Sequence, residues 1–307
     1  MMKLPSLLLT LLLLCGAMAH AADCPPPPQA AQPPAGPALD RGALWRLDKD
    51  GRSSYLYGSM HAGRAEWMLP GPKLTVALLA TQLLALEVDA QDPALPAQLA
   101  QAMAALPPLP LEADDQARLD RQADAACVPR QALAGLHPML QVSTLQMLAG
   151  RHEGLHLQFA QEAMLGAAAR RLGRPVVALE TAGQQLALLV PDDAALGRRL
   201  LREGLDHLEG PRARQMLQRL ARAWEAGDLA LIGSLERLCD CQPTADEKAY
   251  LARLNDSRNP AMAQRIAELH GQGKPLLAAV GMLHMTGPQA LPQLLQGLGF
   301  QVERLVP

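Results

Sequence analysis

Two histidines in this 307-residue chain close the same short pattern, in which a glycine is followed by two other residues and then by the histidine. The pattern reads GSMH at residues 58–61 and GMLH at residues 281–284, and each copy follows a run of strand-forming residues. A glycine at the end of a strand lets the backbone turn sharply, so the imidazole can point into the space beyond the strand. We therefore single out His61 and His284 as candidate metal ligands.

Two acidic residues, Glu87 and Glu180, stand in equivalent places, because each one closes a short apolar run. Ligands of α/β sheets gather where the strands end, since the loops there converge on one crevice. Two histidines with one or two carboxylates form a donor set that suits a divalent metal. A single histidine after a strand would more often be an ordinary loop or core residue, so it is the repeated pattern that favours a site.

The elements that must position these residues follow from the periodicity of the apolar residues. A hairpin is predicted around the turn sequence DKDG. Short buried strands are predicted at residues 83–88 and 175–179, and further strands at residues 275–280 and 300–306. Helices are predicted at residues 72–84, across 96–172 with breaks at its prolines, and across 183–270. This alternation predicts an α/β fold with a central mixed sheet, in which the helical middle forms a large insertion or cap.

The N-terminus has the features of an export signal. Lys3 is followed by an apolar stretch over residues 4–14 and by the small residues Ala19 and Ala21. This pattern predicts a signal peptide over residues 1–21, cleaved near Ala21. The apolar stretch is shorter than the about 20 residues that a membrane helix needs, so we expect no stable membrane anchor after cleavage.

Export would place the mature chain in the periplasm or outside the cell. Lipidation at Cys15 is disfavoured, because a leucine precedes it where a small residue is needed. Residues 22–40 are rich in proline and are predicted to form a linker, and residues 41–307 a single domain. The net charge of −2 comes with no basic stripe, so nucleic acid is not an expected partner.

Four cysteines remain after removal of the signal peptide: Cys24, Cys127, Cys239 and Cys241. An even number in an oxidising compartment suggests disulfides. We expect Cys239 and Cys241 to be too close together to pair with each other, so that each pairs with either Cys24 or Cys127, in an order that the sequence leaves open. A metal site on the Cys239 and Cys241 pair is the weaker alternative, because further Cys or His ligands are missing nearby.

Several segments together resemble the TraB/GumN (Tiki-like) family over about residues 44–305. In chain order they are LWRLDKDGRSSYLYGSMH, LLALEVD, RPVVALETAGQQLALL, AWEAGDL, SRNPAMAQRI and KPLLAAVGMLHMTGPQALPQLLQGLGFQV. The resemblance implies a metalloprotease-like hydrolase that acts on a peptide or a small ester or amide, with a divalent metal such as Mn, Co or Zn. The wider superfamily that the resemblance implies also includes proteins that handle haem or iron. A non-catalytic metal- or haem-binding envelope protein is therefore the first alternative, and a protein that acts only as an interaction module is another.

The resemblance also implies roles for five residues. His61, His284 and Glu87 would hold the metal, which would lower the pKa of bound water and polarise a carbonyl. Glu87, Glu180 and Arg258 would be catalytic, with one carboxylate as general base and Arg258 as a partner of the oxyanion or of a substrate carboxylate. The assignment of roles between the two glutamates is open. Arg258 has an alternative role as an ion-pair partner of Glu87 or Glu180.

A competing motif is HEGLH at residues 152–156, which matches the H-E-x-x-H pattern of zinc proteases. In a zincin, His152 and His156 would bind zinc and Glu153 would act as the base. The motif needs an uninterrupted helix, and Gly154 in its centre disfavours one. His156 also stands where the family resemblance leads us to expect an acidic residue. We therefore expect both histidines to face solvent in a loop between helices.

Overall fold

The computed structural model describes residues 24, 25, 27, 28 and 37–306. The predicted signal peptide over residues 1–21 lies outside the described residues, as does most of the predicted linker over residues 22–40. Within the described part of the chain, no helix has the length and apolar character needed to cross a membrane.

Six strands form one mixed sheet, as the sequence predicts. They are β1 (Ala43–Lys49), β2 (Arg52–Ser59), β3 (Leu83–Leu86), β4 (Val176–Ala178), β5 (Leu276–Gly281) and β6 (Gln301–Val306). Their order across the sheet is β4-β3-β5-β2-β1-β6. The first four strands in this order are parallel, whereas β1 runs antiparallel to both of its neighbours. The expected burial is confirmed for β3 but is wrong for β4, which is only partly covered because it forms an edge of the sheet.

Helices fill the connections between the strands. They are α1 (Pro72–Ala80), α2 (Leu95–Ala104), α3 (Ala113–Ala125), α4 (Arg130–Leu133), α5 (Pro138–Leu148), α6 (Gln161–Arg171), α7 (Ala182–Leu189), α8 (Ala194–Glu209), α9 (Arg212–Glu225), α10 (Leu229–Ile232), α11 (Leu235–Cys239), α12 (Ala245–Leu254), α13 (Asn259–Gly271) and α14 (Leu291–Gly297). The interruptions between α2 and α5 contain the prolines that predicted them. The structure therefore confirms an α/β fold with a large helical region.

The hairpin between β1 and β2 turns at Asp50 and Gly51. Both residues have positive φ angles, 50° and 71°. A two-residue turn of this kind matches the right-handed twist of the flanking strands, and Asp-Gly is a preferred sequence for it. The turn fixes the register in which Lys49 pairs with Arg52, and this register carries through to Gly58, which pairs with Ala43.

The buried apolar residues fall into two clusters. We call the first the sheet core; it covers the strands and contains Trp67 and Trp224, whose ring centroids lie 4.6 Å apart. We call the second the helical core; it joins residues of α3, α5 and α8, with Leu186 and Leu189 of α7 packed against it. The indole Nε1–H of Trp224 donates to the carbonyl oxygen of Gly58 at 2.9 Å, which fixes the start of the first Gly-x-x-His segment.

Both disulfides differ from the expected pairing. Cys24 is bonded to Cys127, and Cys239 is bonded to Cys241. The sequence-based expectation that Cys239 and Cys241 cannot pair is wrong, because α11 ends at Cys239 and Asp240 adopts a left-handed conformation with φ 53°. That conformation turns the chain back, so the two Cα atoms lie 5.1 Å apart, within the range for a disulfide.

Candidate functional site

The candidate site lies at the carboxyl ends of four parallel strands. Gly58 pairs with Val280 and Ser59 with Gly281, so the two Gly-x-x-His segments leave the sheet side by side. Strand β3 lies on the other side of β5 and leads directly into Glu87. Strand β4 leads into Glu180, whose backbone N–H donates to the carbonyl oxygen of Glu87 at 3.0 Å. The structure therefore brings together the residues that the sequence pattern singled out.

Glu87 is at the centre of the cluster and is buried. Its Oε1 atom accepts a hydrogen bond of 2.7 Å from the backbone N–H of Gly281. Its Oε2 atom accepts hydrogen bonds from the guanidinium of Arg258 and from the amide of Gln185, the latter at 3.1 Å. Each carboxylate oxygen is thus held by groups that come from a different part of the chain.

The two histidines face opposite oxygens of this carboxylate. The Nε2 atom of His61 lies 3.8 Å from Oε1 of Glu87, and the Nε2 atom of His284 lies 3.9 Å from Oε2. The side chain of His61 is 55% exposed, whereas that of His284 is 6% exposed. A ligand from solvent would therefore reach the cluster from the side of His61.

Each imidazole is also held at Nδ1, the ring nitrogen that does not face Glu87. The Nδ1 atom of His61 lies 2.9 Å from Oε1 of Glu162, and the Nδ1 atom of His284 lies 2.6 Å from Oδ1 of Asn259. The amide of Asn259 donates to two backbone carbonyls, so its Oδ1 must be the acceptor and Nδ1 of His284 carries the proton. The lone pair of His284 is therefore on Nε2, and it accepts a hydrogen bond of 3.1 Å from Arg258.

Arg258 joins the two acidic residues. Its Nη2 atom contacts a carboxylate oxygen of both Glu87 and Glu180, and its Nε atom lies 3.0 Å from Oε1 of Glu180. The three side chains are between 6% and 13% exposed. The sequence suggested an ion pair with Glu87 or Glu180 as an alternative role of Arg258. In the structure the guanidinium pairs with both glutamates at once.

These contacts shift the pKa values of the cluster. Burial raises the pKa of Glu87, but the charges of His61, His284 and Arg258, with the N–H of Gly281, outweigh it and lower the pKa to about 2. Burial lowers the pKa of His284 to about 4. The carboxylate of Glu162 raises the pKa of His61, although solvent at this exposed side chain screens part of the effect.

Gly281 is required by the close packing of the cluster. A Cβ atom at this position would lie 3.2 Å from Oε1 of Glu87 and 3.2 Å from Nε2 of His61. Both distances are shorter than ordinary van der Waals contact, and the buried carboxylate has little room to move. This glycine therefore lets the strand approach the site. The expectation that a glycine is needed here for a sharp turn is wrong, because Gly281 has a φ of −47°, which other residues also adopt.

Three polar residues of the site were not singled out from the sequence. Glu162 lies in the first turn of α6, Gln185 lies within α7, and Asn259 begins α13. Asn259 directly follows Arg258 within the SRNP segment, which is a signal that could have indicated it. Gln185 lies five residues after Glu180 in the family-like segment RPVVALETAGQQLALL, which is a comparable signal. Glu162 lies outside all of these segments, and only the packing of α6 against the sheet brings it to the site.

The competing H-E-x-x-H segment does not form one helix. Residues 149–153 form a 3-10 turn that ends at Gly154, with φ 74°, and His156 is extended. His152 and His156 therefore do not lie one turn apart on a helical face. The expectation that both histidines face solvent is wrong for His156, which is 9% exposed, because its backbone pairs with that of Gly63 beside the first Gly-x-x-His segment.

The donor set around Glu87 suits a divalent metal in its chemistry. Both histidines direct Nε2 towards the carboxylate while an oxygen acceptor holds Nδ1, which is the usual support of a metal-binding imidazole. Within residues 37–306 and the other described positions, no group of three or more His, Cys, Asp or Glu residues already has metal-ligand spacing. A metal bound at Nε2 of His284 would replace the hydrogen bond that Arg258 donates there. Arg258 would still contact both glutamates and the carbonyl oxygen of Leu254.

One of three comparisons with known proteins gives a match. No curated protein and no solved structure matches the chain. The model of the TraB/PrgY/gumN family matches residues 43–304, which is most of the chain and includes all four strand-end residues of the candidate site. The chain therefore belongs to the TraB/PrgY/gumN family.

Proposed function

We propose that the chain is an exported metal-dependent hydrolase that acts on peptides or on small esters and amides, with a peptidase as the favoured class. His61, His284 and Glu87 would hold the divalent metal. One observation carries the proposal: two histidines direct Nε2 to opposite oxygens of one buried carboxylate, and each is held at Nδ1 by an acceptor. A hydrogen-bond acceptor at Nδ1 with Nε2 directed at a carboxylate is typical of metal-binding histidines, and a histidine that serves only in packing does not require it.

A bound metal would supply a water of lowered pKa and polarise the carbonyl to be attacked. The protein residues supply the rest. Asn259 keeps the Nδ1 proton on His284, so that Nε2 presents its lone pair to the crevice. Glu162 does the same for His61. Glu87 stays ionised at neutral pH, since its pKa is lowered to about 2.

The second carboxylate, Glu180, is the proposed general base. Its Oε2 atom accepts hydrogen bonds from Arg258 and Gln185, whereas among the residues that the structure describes Oε1 accepts one only from the Nε atom of Arg258. Oε1 is therefore the atom at which this side chain would take a proton from water. Arg258 balances the charge of both glutamates and is the group nearest to them that can stabilise a developing oxyanion.

Metal content of residues 22–307 tests the proposal. We expect about one metal per chain in the wild type, the same in His152→Ala/His156→Ala, and none in His61→Ala/His284→Ala. The His152 and His156 variant is the matched control, since it removes two histidines from the competing motif. Metal lost only from that control would favour a zincin, and a wild type that binds no metal under any loading condition would overturn the metal-dependent mechanism.

Hydrolysis assays then test the catalytic part. Protein loaded with Mn²⁺, Co²⁺ or Zn²⁺ is offered a mixture of peptides and a set of small esters and amides. We expect Glu180→Gln to keep its metal and to lose at least tenfold in kcat, because the base is removed while the metal ligands remain. Equal turnover by Glu180→Gln and the wild type would contradict the role of Glu180. Binding of added haem, seen as an intense absorbance band, without any turnover would favour the non-catalytic alternative.

A further inference from the structure

The disulfide between Cys239 and Cys241 encloses a single residue, Asp240. It lies at the end of α11, and Asp240 holds the left-handed conformation that brings the two cysteines together. Non-glycine residues adopt this conformation at a cost, and Asp is among those that tolerate it best. A ring of this size crosslinks no distant parts of the chain, so its role in holding the fold together is small.

The second disulfide of the chain gives the contrast. Cys24 and Cys127 are 103 residues apart, whereas Cys239 and Cys241 are two apart. The stabilisation from a crosslink grows with the length of chain it closes, because a longer loop removes more conformational freedom from the unfolded chain. The bond between Cys239 and Cys241 can therefore be broken at far less cost to the fold than the bond between Cys24 and Cys127.

The two sulfur atoms of the short ring differ in access. Cys239 is buried at 5% exposure, Asp240 is exposed, and Cys241 is partly exposed. An incoming thiolate would reach Cys241 first, and Cys239 would then be the leaving group. An asymmetric pair, with one accessible and one covered sulfur, is the arrangement that thiol–disulfide exchange needs.

A backbone carbonyl and a side chain of neighbouring residues surround Cys239 and its flanking residues. The Sγ atom of Cys239 lies 3.7 Å from the carbonyl oxygen of Glu236. The sulfur can donate a hydrogen bond to this oxygen only as a thiol, because a disulfide sulfur carries no hydrogen. The guanidinium of Arg219 binds both flanking residues, with 3.2 Å to the carbonyl oxygen of Leu238 and 2.9 Å to Oδ2 of Asp240. Arg219 therefore ties both neighbours of Cys239 to α9, and its charge is paired with the carboxylate of Asp240.

We propose that Cys239 and Cys241 form a redox-active dithiol–disulfide pair that exchanges with the dithiols of another polypeptide. A substrate thiolate attacks Sγ of Cys241, the bond between the two cysteines breaks, and Cys239 leaves as a thiolate. The second substrate thiolate then attacks the substrate sulfur of this mixed disulfide and releases the Cys241 thiolate. The substrate loses two electrons and two protons and gains a disulfide, while the pair gains both. A small-molecule disulfide such as oxidised glutathione restores the pair and becomes two thiols.

The first experiment is a reduction time course with dithiothreitol, followed by alkylation and peptide mass spectrometry. We expect the bond between Cys239 and Cys241 to be reduced at least tenfold faster than that between Cys24 and Cys127, with an unchanged circular dichroism spectrum at that stage. Equal rates, or loss of the folded spectrum as the short ring opens, would overturn the proposal.

The second experiment measures exchange itself. A reduced peptide with two cysteines is mixed with oxidised glutathione, and disulfide formation in the peptide is followed by chromatography. We expect the wild type to accelerate this at least tenfold over Cys239→Ala/Cys241→Ala. We also expect Cys239→Ala, with Cys241 free, to form a mixed disulfide with the oxidised peptide. No acceleration by the wild type, with its disulfide shown to be intact, would overturn the proposal.

Discussion

The carboxylate of Glu162 meets the imidazole of His61 at 2.9 Å, and the same oxygen accepts the hydroxyl hydrogen of Ser59. The other oxygen of Glu162 is buried and makes no hydrogen bond within the described part of the chain. Helix α6 thus carries a charged side chain into the sheet edge, and the cost of burying it is offset by the ion pair with His61. This pair orients the more exposed of the two histidines.

Glu162→Gln tests that orientation. The amide keeps the size of the side chain but removes its charge, so His61 loses the group that fixes its ring and raises its basicity. We expect metal affinity to fall by about ten- to a hundredfold, as for other partners of metal-binding histidines. Isothermal titration with Mn²⁺, Co²⁺ and Zn²⁺ measures it. Glu153→Gln, which alters a carboxylate paired with Arg214, is the control and should bind metal like the wild type.

Gly281→Ala tests the close packing at the end of β5. The new methyl group would lie 3.2 Å from both Glu87 and His61, so one of them must move. We expect a loss of stability of about 1–3 kcal/mol and at least a tenfold loss of metal affinity. Gly271→Ala is the matched control, because nothing lies within 4 Å of its Cβ position. Similar effects of both substitutions on metal binding would contradict the packing argument.

Arg258→Met should be strongly destabilising. It leaves the carboxylates of Glu87 and Glu180 buried beside each other without their shared cation. Breaking a buried ion pair from one side costs about 3–5 kcal/mol, which urea unfolding would detect. Arg258→Met/Glu180→Gln removes one of the two charges and should recover part of that loss. A single variant as stable as the wild type would show that the three charges are not coupled.

Acid should destabilise the metal-free protein in two stages. The pKa of His284 is lowered to about 4 by burial, so its contribution to stability is complete above its ordinary value of 6.5 and is lost as the pH falls through 4. The pKa of Glu87 is about 2, so its contribution is complete above 4.5 and is lost as the pH falls towards 2.

Urea unfolding between pH 7.5 and pH 3 measures this dependence. We expect the wild type to lose on the order of 2 kcal/mol through His284 alone. His284→Gln should show a flatter profile between pH 6.5 and pH 4, because the titrating group is gone. Parallel profiles for the wild type and this variant would contradict the assignment.

The two disulfides should contribute unequally to stability. Chain entropy gives about 4–5 kcal/mol for the long loop closed by Cys24 and Cys127, and about 1–2 kcal/mol at most for the ring closed by Cys239 and Cys241. Double alanine variants of each pair, compared by thermal and urea unfolding, measure the difference. Equal losses of unfolding free energy in the two variants would mean that the bond between Cys239 and Cys241 stabilises more of the fold than the end of α11.

The strand-end residues were the most predictable part of the site. The carboxyl ends of parallel strands share one edge of a sheet, so the Gly-x-x-His repeat and two closing glutamates were enough to place His61, His284, Glu87 and Glu180 near one another. Their roles in binding and catalysis stay predictions. The helical breaks between α2 and α5 were predictable, because proline cannot continue a helix from within. The break between α5 and α6, over residues 149–160, contains no proline and was not predicted.

The contacts of the helix-borne partners were not predictable. Glu162 looks like an ordinary polar residue of a helix, and the contacts of both Glu162 and Gln185 depend on how α6 and α7 pack against the sheet. The prediction of the disulfide pairing was wrong for a different reason. The left-handed conformation of Asp240 reverses the chain between the two cysteines, and their spacing in the sequence does not reveal it. The prediction that His156 faces solvent was wrong because its backbone pairs with that of Gly63, which the sequence does not indicate.

The separation of the sheet core from the helical core has a consequence for motion. Two apolar clusters define two units that can unfold locally, each with its own free energy of opening. Helix α7 links them, because Leu186 and Leu189 pack on the helical core while Gln185 donates to Glu87 and Glu180. Local opening of the helical unit would therefore take an amide donor from both carboxylates, whereas His61 and His284 would keep Glu162 and Asn259 as their partners.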